Sequence, residues 1–214
     1  MADILDMTIF ILKGLSVTLR LYIFTAILCL PLGLVFAIGK VSKLKGLRNI
    51  LGIYTWIFRG TPLLLQLFFT YYGLPIATGI SYSPFIAALI TYTLNYGAYL
   101  TEIFRSGIES IDKGQYEASF ALGMSYRQTM SIVVIPQALR RVIPPLCNEA
   151  INLVKDTALV AAIGMGDLLR SSKELVTASF TITPFIITAI LYLIFSSFVV
   201  LFFRYLEMKF QIKN

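Results

Sequence analysis

Residues 60–101 read GTPLLLQLFFTYYGLPIATGISYSPFIAALITYTLNYGAYLT and contain no charged side chain. An α-helix rises about 1.5 Å per residue, so a hydrocarbon core of about 30 Å needs roughly 20 apolar residues. The stretch is too long for one such helix, and turn-forming residues divide it near its middle: Gly73, Pro75, Gly79, Ser81 and Pro84. It therefore predicts a hairpin of two membrane-spanning helices, over about 49–74 and 84–105.

The composition of the whole chain agrees with a lipid-embedded protein. Of its 214 residues 57% are hydrophobic and 14% are charged, and the mean hydropathy is +0.81. So low a charge content excludes charge-driven disorder and the basic surface that a nucleic-acid partner would need. We expect no binding of nucleic acid.

Residue types that build metal centres and catalytic triads are scarce. The chain has no histidine and two cysteines, Cys29 and Cys147. This excludes a His/Cys metal cluster and a histidine-based triad, and we expect both cysteines to be packing residues. We also expect no cleaved signal, because the start, MADILDM, carries two acids where a signal peptide is basic.

Basic residues indicate the direction of the spans. Two further spans are predicted over 16–39 and 184–206, and clusters of basic residues follow the first, the third and the last span. Lys and Arg accumulate in cytoplasmic loops, which places the N-terminus outside and the C-terminus inside. Residues 4–13 have an amphipathic pattern and are predicted to lie on the outer surface.

This direction requires one more crossing, and the available segment is polar. Residues 142–164 must cross the membrane, although they contain Glu149, Lys155 and Asp156. Ionisable groups at membrane depth are costly in contact with lipid, so this helix should face a transport path, with Lys155 paired to a neighbouring acid as the alternative. A reversed last span would remove the crossing, but it would leave the final basic cluster outside. We predict an all-α integral membrane protein with five transmembrane helices in one domain, 1–214.

The largest predicted cytoplasmic loop, 106–141, contains a recognisable spacing. Residues 116–122 form a short helix candidate that ends at Gly123, a residue type suited to a helix C-terminus. Residues 117–119 read Glu-Ala-Ser, Gly123 follows after three residues, and 133–136 read VVIP up to Pro136 after nine more. On the residues alone, a plain connector is the alternative interpretation.

This spacing resembles the EAA loop of ABC importer permeases. Further segments resemble the polar amino-acid permeases of the histidine, glutamine and arginine type: RGTPLLLQLF at 59–68, EIFRSGI at 102–108, GMS at 123–125, IPQA at 135–138 and KDTALV at 155–160. The resemblance covers nearly the whole chain in order. Its departures are mild: Ser119 for the usual alanine, Val133 and Ile135 before Pro136, and Ala158 where serine is common.

The resemblance implies a type I importer permease in the inner membrane, with partners. A cytoplasmic coupling helix would dock into a separate ATPase subunit through Tyr116, Glu117, Ala118, Ser119, Leu122 and Gly123. Two ATPase subunits, a second permease chain (identical or a sister chain) and an extracytoplasmic amino-acid-binding protein would complete the transporter. The sequence has no G-x-x-x-x-G-K-[ST] phosphate loop, so ATP and Mg²⁺ are expected on the partner and this chain is not expected to be an enzyme.

A polar stripe in the third span suggests where the solute binds. Four residues at positions i, i+3, i+7 and i+10 share one helix face: Tyr92, Asn95, Tyr99 and Glu102. Together with Asp156 and Thr157 of the fourth span, they are predicted to line a cavity for an amino acid. Arginine, lysine and histidine are favoured, with glutamine or another polar amino acid as the alternative. The structural alternative is that Asn95 and the tyrosines bond a neighbouring helix and that Glu102 pairs with Arg105.

Three further questions stay open at the level of sequence. Residues 59–62, Arg-Gly-Thr-Pro, predict a helix break that serves as a gate or as a fixed bend at the membrane boundary. An integral membrane enzyme would need an unusual acid/base scheme without histidine. An ion-coupled secondary transporter would use intramembrane carboxylates, but it should show an internal repeat, and none is visible.

Overall fold

The computed structural model describes residues 4–210, and all regular secondary structure in that range is helical. The α-helices are α1 (Ile4–Lys13), α2 (Leu15–Val41), α3 (Lys45–Gly60), α4 (Leu63–Phe68), α5 (Leu74–Thr78), α6 (Pro84–Glu109), α7 (Lys113–Ala121), α8 (Tyr126–Gln128), α9 (Ile135–Asp156), α10 (Leu168–Ser179) and α11 (Thr183–Phe210). Phe69–Gly73 and Thr129–Val134 are π-helical, and Thr157–Ile163 is a 3₁₀-helix.

Helix α6 lies at the centre, with α2, α3, α4 and α9 packed around it. Small residues allow the close approach of α2. A Cβ added at Gly33 would lie 2.5 Å from Cβ of Leu100, and one added at Gly97 would lie 2.7 Å from Leu32. Because apolar lipid supplies little drive for helices to associate, such small-residue contacts provide the packing that holds membrane helices together.

Several apolar helices are long enough to cross a membrane. In residues 4–210 they are the helical segments Ile4–Val41, Tyr126–Ile163 and Thr183–Lys209, while Leu63–Thr78 is apolar but shorter. The spans predicted over 16–39, 84–105 and 184–206 lie within α2, α6 and α11. The number of crossings and their direction stay predictions. Residues 4–13 do form a helix, and α1 packs against α10 and α11.

The helix predicted over 49–74 is broken. Helix α3 ends at Gly60, Thr61 and Pro62 are extended with ψ angles of 146° and 134°, and α4 begins at Leu63. Proline disfavours helical backbone in the preceding residue and donates no backbone hydrogen bond, which explains the break at this point. Beyond α4 a π-helical turn leads into α5, which ends at Gly79 with φ of +74°.

The segment predicted over 142–164 is helical but begins earlier and changes type. Helix α9 starts at Ile135 and ends at Asp156, where the 3₁₀-helix begins. Gly164 ends that helix with φ of +84°. The change of helix type therefore occurs at Asp156, one of the residues predicted to meet the solute.

Candidate solute path and coupling surface

Two tyrosines of α6 hold the end of α9. The Tyr92 hydroxyl donates a hydrogen bond of 2.8 Å to the backbone carbonyl of Asp156, and the Tyr96 hydroxyl donates one of 2.6 Å to its carboxylate. Both tyrosines are buried, whereas Asp156 is half-buried. The two tyrosines therefore hold Asp156 in place at the point where the α-helix ends and the 3₁₀-helix begins. The sequence singled out Tyr92 but not Tyr96, although Tyr96 stands four residues after Tyr92 and one turn further along the helix.

The acids of α9 remain without a basic partner in the described residues. The salt bridges within 4–210 join Lys40 to Glu102, Arg105 to Glu102 and Glu109, and Arg170 to Glu174. Neither Glu149 nor Asp156 belongs to one. Lys155 is exposed and also makes no salt bridge there. A cavity of about 390 Å³ between α2, α6, α9 and α11 includes Tyr96 and Glu149 in its lining.

Asn95 faces the broken helix. Its amide nitrogen donates to the carbonyl of Phe58 at 2.9 Å and to the side-chain oxygen of Gln66 at 3.0 Å. Gln66 in turn donates to the carbonyls of Phe58 (2.9 Å) and Thr61 (3.1 Å). The break leaves these carbonyls without helical donors, and an unpaired polar group inside a membrane protein is costly. Gln66 was missed from the sequence, yet a glutamine four residues after a membrane proline is the available signal.

Glu102 belongs to a separate ionic cluster. Its carboxylate accepts hydrogen bonds from Lys40 of α2 and, at 2.8 Å, from Nε of Arg105. Lys40 also donates to the Thr55 hydroxyl of α3 at 2.9 Å. The Lys40 and Glu102 side chains are 13% and 14% exposed. Glu102 therefore pairs with Arg105, as in the structural alternative, and with a lysine that the sequence did not connect to it.

The remaining predicted residues lie at different places. The Tyr99 hydroxyl donates a long bond of 3.5 Å to the carbonyl of Arg59, whose guanidinium lies 5.3 Å from the Tyr99 ring centre. Thr157 is fully buried, and its hydroxyl donates to the Val154 carbonyl at 2.6 Å. The structure thus brings Tyr92 and Asp156 together with Thr157 beside them, and it places Asn95, Tyr99 and Glu102 in three other sets of contacts.

The loop after α6 presents a short, well-capped helix. Asp112 caps the start of α7, because its carboxylate accepts a 2.7 Å bond from the amide of Gly114. Helix α7 thus begins three residues before the predicted start at Tyr116. Gly123 follows the helix with φ of +76°, and its amide donates to the Phe120 carbonyl at 2.9 Å. Glycine adopts this left-handed conformation without the steric cost that other residues meet.

One face of α7 is anchored and the other is open. Ser119 is buried, and Tyr116 packs against a small cluster with Ile111 and Val134. Burial raises the pKa of the Tyr116 phenol above its ordinary value, so this hydroxyl stays neutral near neutral pH. On the other side Glu117 and Ala118 are exposed and Leu122 is 82% exposed. An exposed leucine at the end of a capped helix that also carries an exposed acid is suited to docking against a protein partner.

Residues 4–210 combine apolar helices long enough to cross a membrane, a polar helix end in the interior and an exposed capped helix on a loop, an arrangement that fits the permease subunit of a transporter. Residues 29–212 match the family model described as binding-protein-dependent transport system inner membrane component. The chain belongs to this family. The match covers most of the chain. This family is the inner membrane component of transport systems, so the chain is a transport subunit of that membrane rather than an enzyme.

Curated relatives and a solved structure agree with this family assignment. The chain is 42% identical to the arginine transport system permease protein ArtQ of Bacillus subtilis, over 86% of this chain and 84% of that protein. It is also 42% identical to the putative glutamine transport system permease protein GlnP of Rickettsia felis, over 77% of this chain and 76% of that protein. The crystal structure of an amino acid ABC transporter with histidines matches with a TM-score of 0.89 and 33% identity, over 98% of this chain and 99% of that chain.

These matches confirm the resemblance to amino-acid ABC permeases and the type I permease fold. An inward-facing structure of the MetNI methionine ABC transporter shares the fold at 20% identity, with a TM-score of 0.73 over 94% of both chains. Membership of the family implies ATPase subunits and a binding protein as partners.

Proposed function

We propose that this permease carries basic amino acids, arginine, lysine or histidine, inward across the membrane. The observation that carries the proposal is the Asp156 carboxylate, which is held by Tyr96 and, among residues 4–210, is not engaged in a salt bridge. The similarity to the arginine transport system permease protein of Bacillus subtilis supports the same class of solute.

The chemistry of the path favours a cation. A carboxylate that is withdrawn from water forms strong charge-assisted hydrogen bonds with a guanidinium or an ammonium group. Glu149 lies on α9 seven residues before Asp156, two turns away on the same face of the helix. A basic amino acid presents a cationic side chain and an α-ammonium group, which lets one solute engage both acids.

In this proposal the other predicted residues position the helices around the solute path and do not contact the solute. Tyr92 and the buried Thr157 hold the junction of α9 with the 3₁₀-helix, and Asn95 with Gln66 holds the ends of the broken helix. Tyr99 and Arg59 lie next to that break. Glu102 ties α2 to α6. We assign these groups to positioning and Asp156 to direct contact with the solute.

The driving force is assigned to partner proteins. We infer that two permease chains, identical or sister chains, sit on two ATPase subunits that bind ATP and Mg²⁺. Closure of the ATPases would draw the two α7 helices together. That motion would pass through α6 and α9 and alternate the access of the Asp156 region between the two sides of the membrane. The binding protein would deliver the amino acid from outside.

Glutamine is the second candidate solute. It is favoured by the relatives named as glutamine transport permeases, which are as similar to this chain as the arginine permease is. The side-chain amide of glutamine is neutral, so only its α-ammonium group would bring a positive charge to a carboxylate. A relative named for L-cystine, at 41% identity, shows that the same level of similarity includes other solutes.

The Asp156→Asn variant tests the choice between these solutes. The complex with its ATPase and binding protein is reconstituted in vesicles, and ATP-driven uptake of labelled arginine, lysine, histidine and glutamine is compared. Loss of one charge-assisted hydrogen bond corresponds to about 1.5–3 kcal/mol, or roughly a 10- to 100-fold loss of basic amino-acid uptake. The amount of co-purifying ATPase reports correct assembly.

The matched control is Glu174→Gln, which like Asp156→Asn replaces a carboxylate by its amide. Glu174 is exposed on α10 and pairs with Arg170, so its removal should leave uptake unchanged. Uptake of glutamine alone by the wild-type complex would overturn the basic specificity while leaving the permease assignment intact. Undiminished arginine uptake by Asp156→Asn would remove Asp156 from the solute path.

A further inference from the structure

The first half of the chain has an unusual charge distribution. Between Asp6 and Glu102 there is no acidic residue, yet four basic residues lie close together where α2 ends and α3 begins: Lys40, Lys43, Lys45 and Arg48. These basic side chains therefore have no acidic neighbour in sequence. A partner for them must come from another part of the fold or from outside the chain.

The fold supplies a partner to one of the four. Lys40 pairs with Glu102. Lys43, Lys45 and Arg48 are exposed, and they take part in none of the salt bridges found within residues 4–210. Within residues 4–210, three cations on the α2–α3 turn and the first turns of α3 therefore have no salt-bridge partner.

The turn lies at the coupling end of the molecule. Lys40 meets Glu102 near the end of α6, and α7 begins only four residues after α6 ends. Lys43, Lys45 and Arg48 are therefore near the side of the membrane from which α7 projects. In a permease of this family that side is the cytoplasmic side, where anionic lipids give the leaflet a negative surface potential.

The helix that follows the turn has an apolar outer face. Ile50, Ile53 and Ile57 stand at i, i+3 and i+7 and are all exposed. Trp56 is 76% exposed. The opposite face is in the core, where Leu51 and Thr55 are buried. Helix α3 therefore presents cations at its start and a row of large apolar side chains beyond them.

We propose that the α2–α3 turn and the outer face of α3 form a binding surface for anionic phospholipid. The phosphate headgroup would contact Lys43, Lys45 and Arg48, and the acyl chains would lie along the isoleucine face and Trp56. Charge complementarity selects this occupant, because the surface is basic at one end and apolar along its length. The proposal goes beyond the transport function and does not depend on which amino acid is carried.

The chain contains its own reporter for this surface. Trp56 is its one tryptophan, and lipids with brominated acyl chains quench tryptophan fluorescence on contact. The full chain is reconstituted in vesicles of phosphatidylcholine with phosphatidylglycerol, and either the neutral or the anionic lipid carries the bromine. The ratio of the two quenching curves gives the preference of the Trp56 neighbourhood for anionic over neutral lipid.

We expect the wild-type chain to prefer phosphatidylglycerol by about fivefold or more at low salt, the factor that one basic residue near an anionic surface contributes. The triple variant Lys43→Gln, Lys45→Gln, Arg48→Gln should bring the preference close to one. High salt should lower the wild-type preference, because it screens exposed charges.

The control removes three cations elsewhere, with Lys13→Gln, Arg20→Gln and Lys173→Gln, and should keep the wild-type preference. Equal quenching by both lipids in the wild type, or a preference that survives the triple substitution, would overturn the proposal. So would absence of quenching by either lipid, which would mean that protein covers Trp56 and that the face is a contact between chains. Thermal unfolding of each variant confirms that the compared chains are folded.

Discussion

At the scale of the residue, Gly123 links backbone conformation to coupling. Its φ of +76° ends α7, and a Cβ at this position would have no atom within 4 Å. Alanine would therefore meet no steric obstacle and would pay only the conformational cost of the left-handed region, about 1–2 kcal/mol. The helix end that carries the exposed Leu122 depends on this single conformation.

We predict that Gly123→Ala lowers the ATP hydrolysis that the loaded binding protein stimulates and weakens the end of α7. The matched control is Gly52→Ala. Gly52 lies inside α3, and a Cβ there would also have no atom within 4 Å, so alanine should be neutral or slightly stabilising. Equal stimulation in the two variants would show that the left-handed turn is not needed for coupling.

Individual residues also show how far sequence could predict the site. Gly123 was predicted as the end of the coupling helix because a glycine after a helix has a local conformational meaning, and the structure has that conformation. Helical periodicity placed Asn95 on a polar face, but it could not identify the hydrogen-bond partner of Asn95. Gln66 becomes its neighbour because α3 breaks at Thr61 and Pro62 and α4 packs against α6, which is a property of the tertiary packing.

At the scale of the element, the Lys40–Glu102 pair joins α2 to α6 just before the coupling loop. Both side chains are largely buried, so neither charge is well solvated if the other is removed. Breaking a buried pair by removing one partner leaves an uncompensated charge and costs about 3–5 kcal/mol. Arg105 is retained beside Glu102 and offers partial compensation only when Lys40 is the residue removed.

We predict that Glu102→Gln destabilises the purified transporter more than Lys40→Met does, and that the double variant is more stable than Glu102→Gln alone. Thermal unfolding of the complex in detergent measures this. Glu174→Gln in the exposed Arg170 pair is the control and should change stability by less than about 1 kcal/mol. Additive losses in the double variant would mean that the two side chains do not interact energetically.

Helices were predictable where the length and hydropathy of an apolar run determine them. They were less predictable where local side-chain contacts determine whether a helix continues. The long apolar runs predicted helices within α2 and α11 because a membrane requires them. The sequence predicted a helix break at residues 59–62 but left open whether it serves as a gate or as a fixed bend. Whether a proline bends a helix or ends it depends on donors from neighbouring helices, and here Gln66 and Asn95 satisfy the carbonyls that the break exposes.

At the scale of the whole molecule, the chain connects an exposed helix on one side with a carboxylate in its interior. Helix α6 contacts the end of α9 through Tyr92 and Tyr96, and it leads directly into the loop that carries α7. The loop is fixed to the start of α9 as well, because the Gln137 amide donates to Gln115 at 3.1 Å. Movement of α7 is therefore expected to move α6 and α9 together, and with them the surroundings of Asp156.

The docking of α7 on a separate ATPase is tested by the amount of ATPase subunit that co-purifies with the tagged permease. We expect a stoichiometric ATPase with the wild-type chain and with Glu174→Lys, whose charge reversal lies on α10. We expect loss of the ATPase with Glu117→Lys, because Glu117 is exposed on α7 at the proposed docking face. A wild-type chain that transports amino acids without any associated ATPase would contradict coupling to a separate ATPase, and full retention of the ATPase by Glu117→Lys would contradict docking through this face of α7.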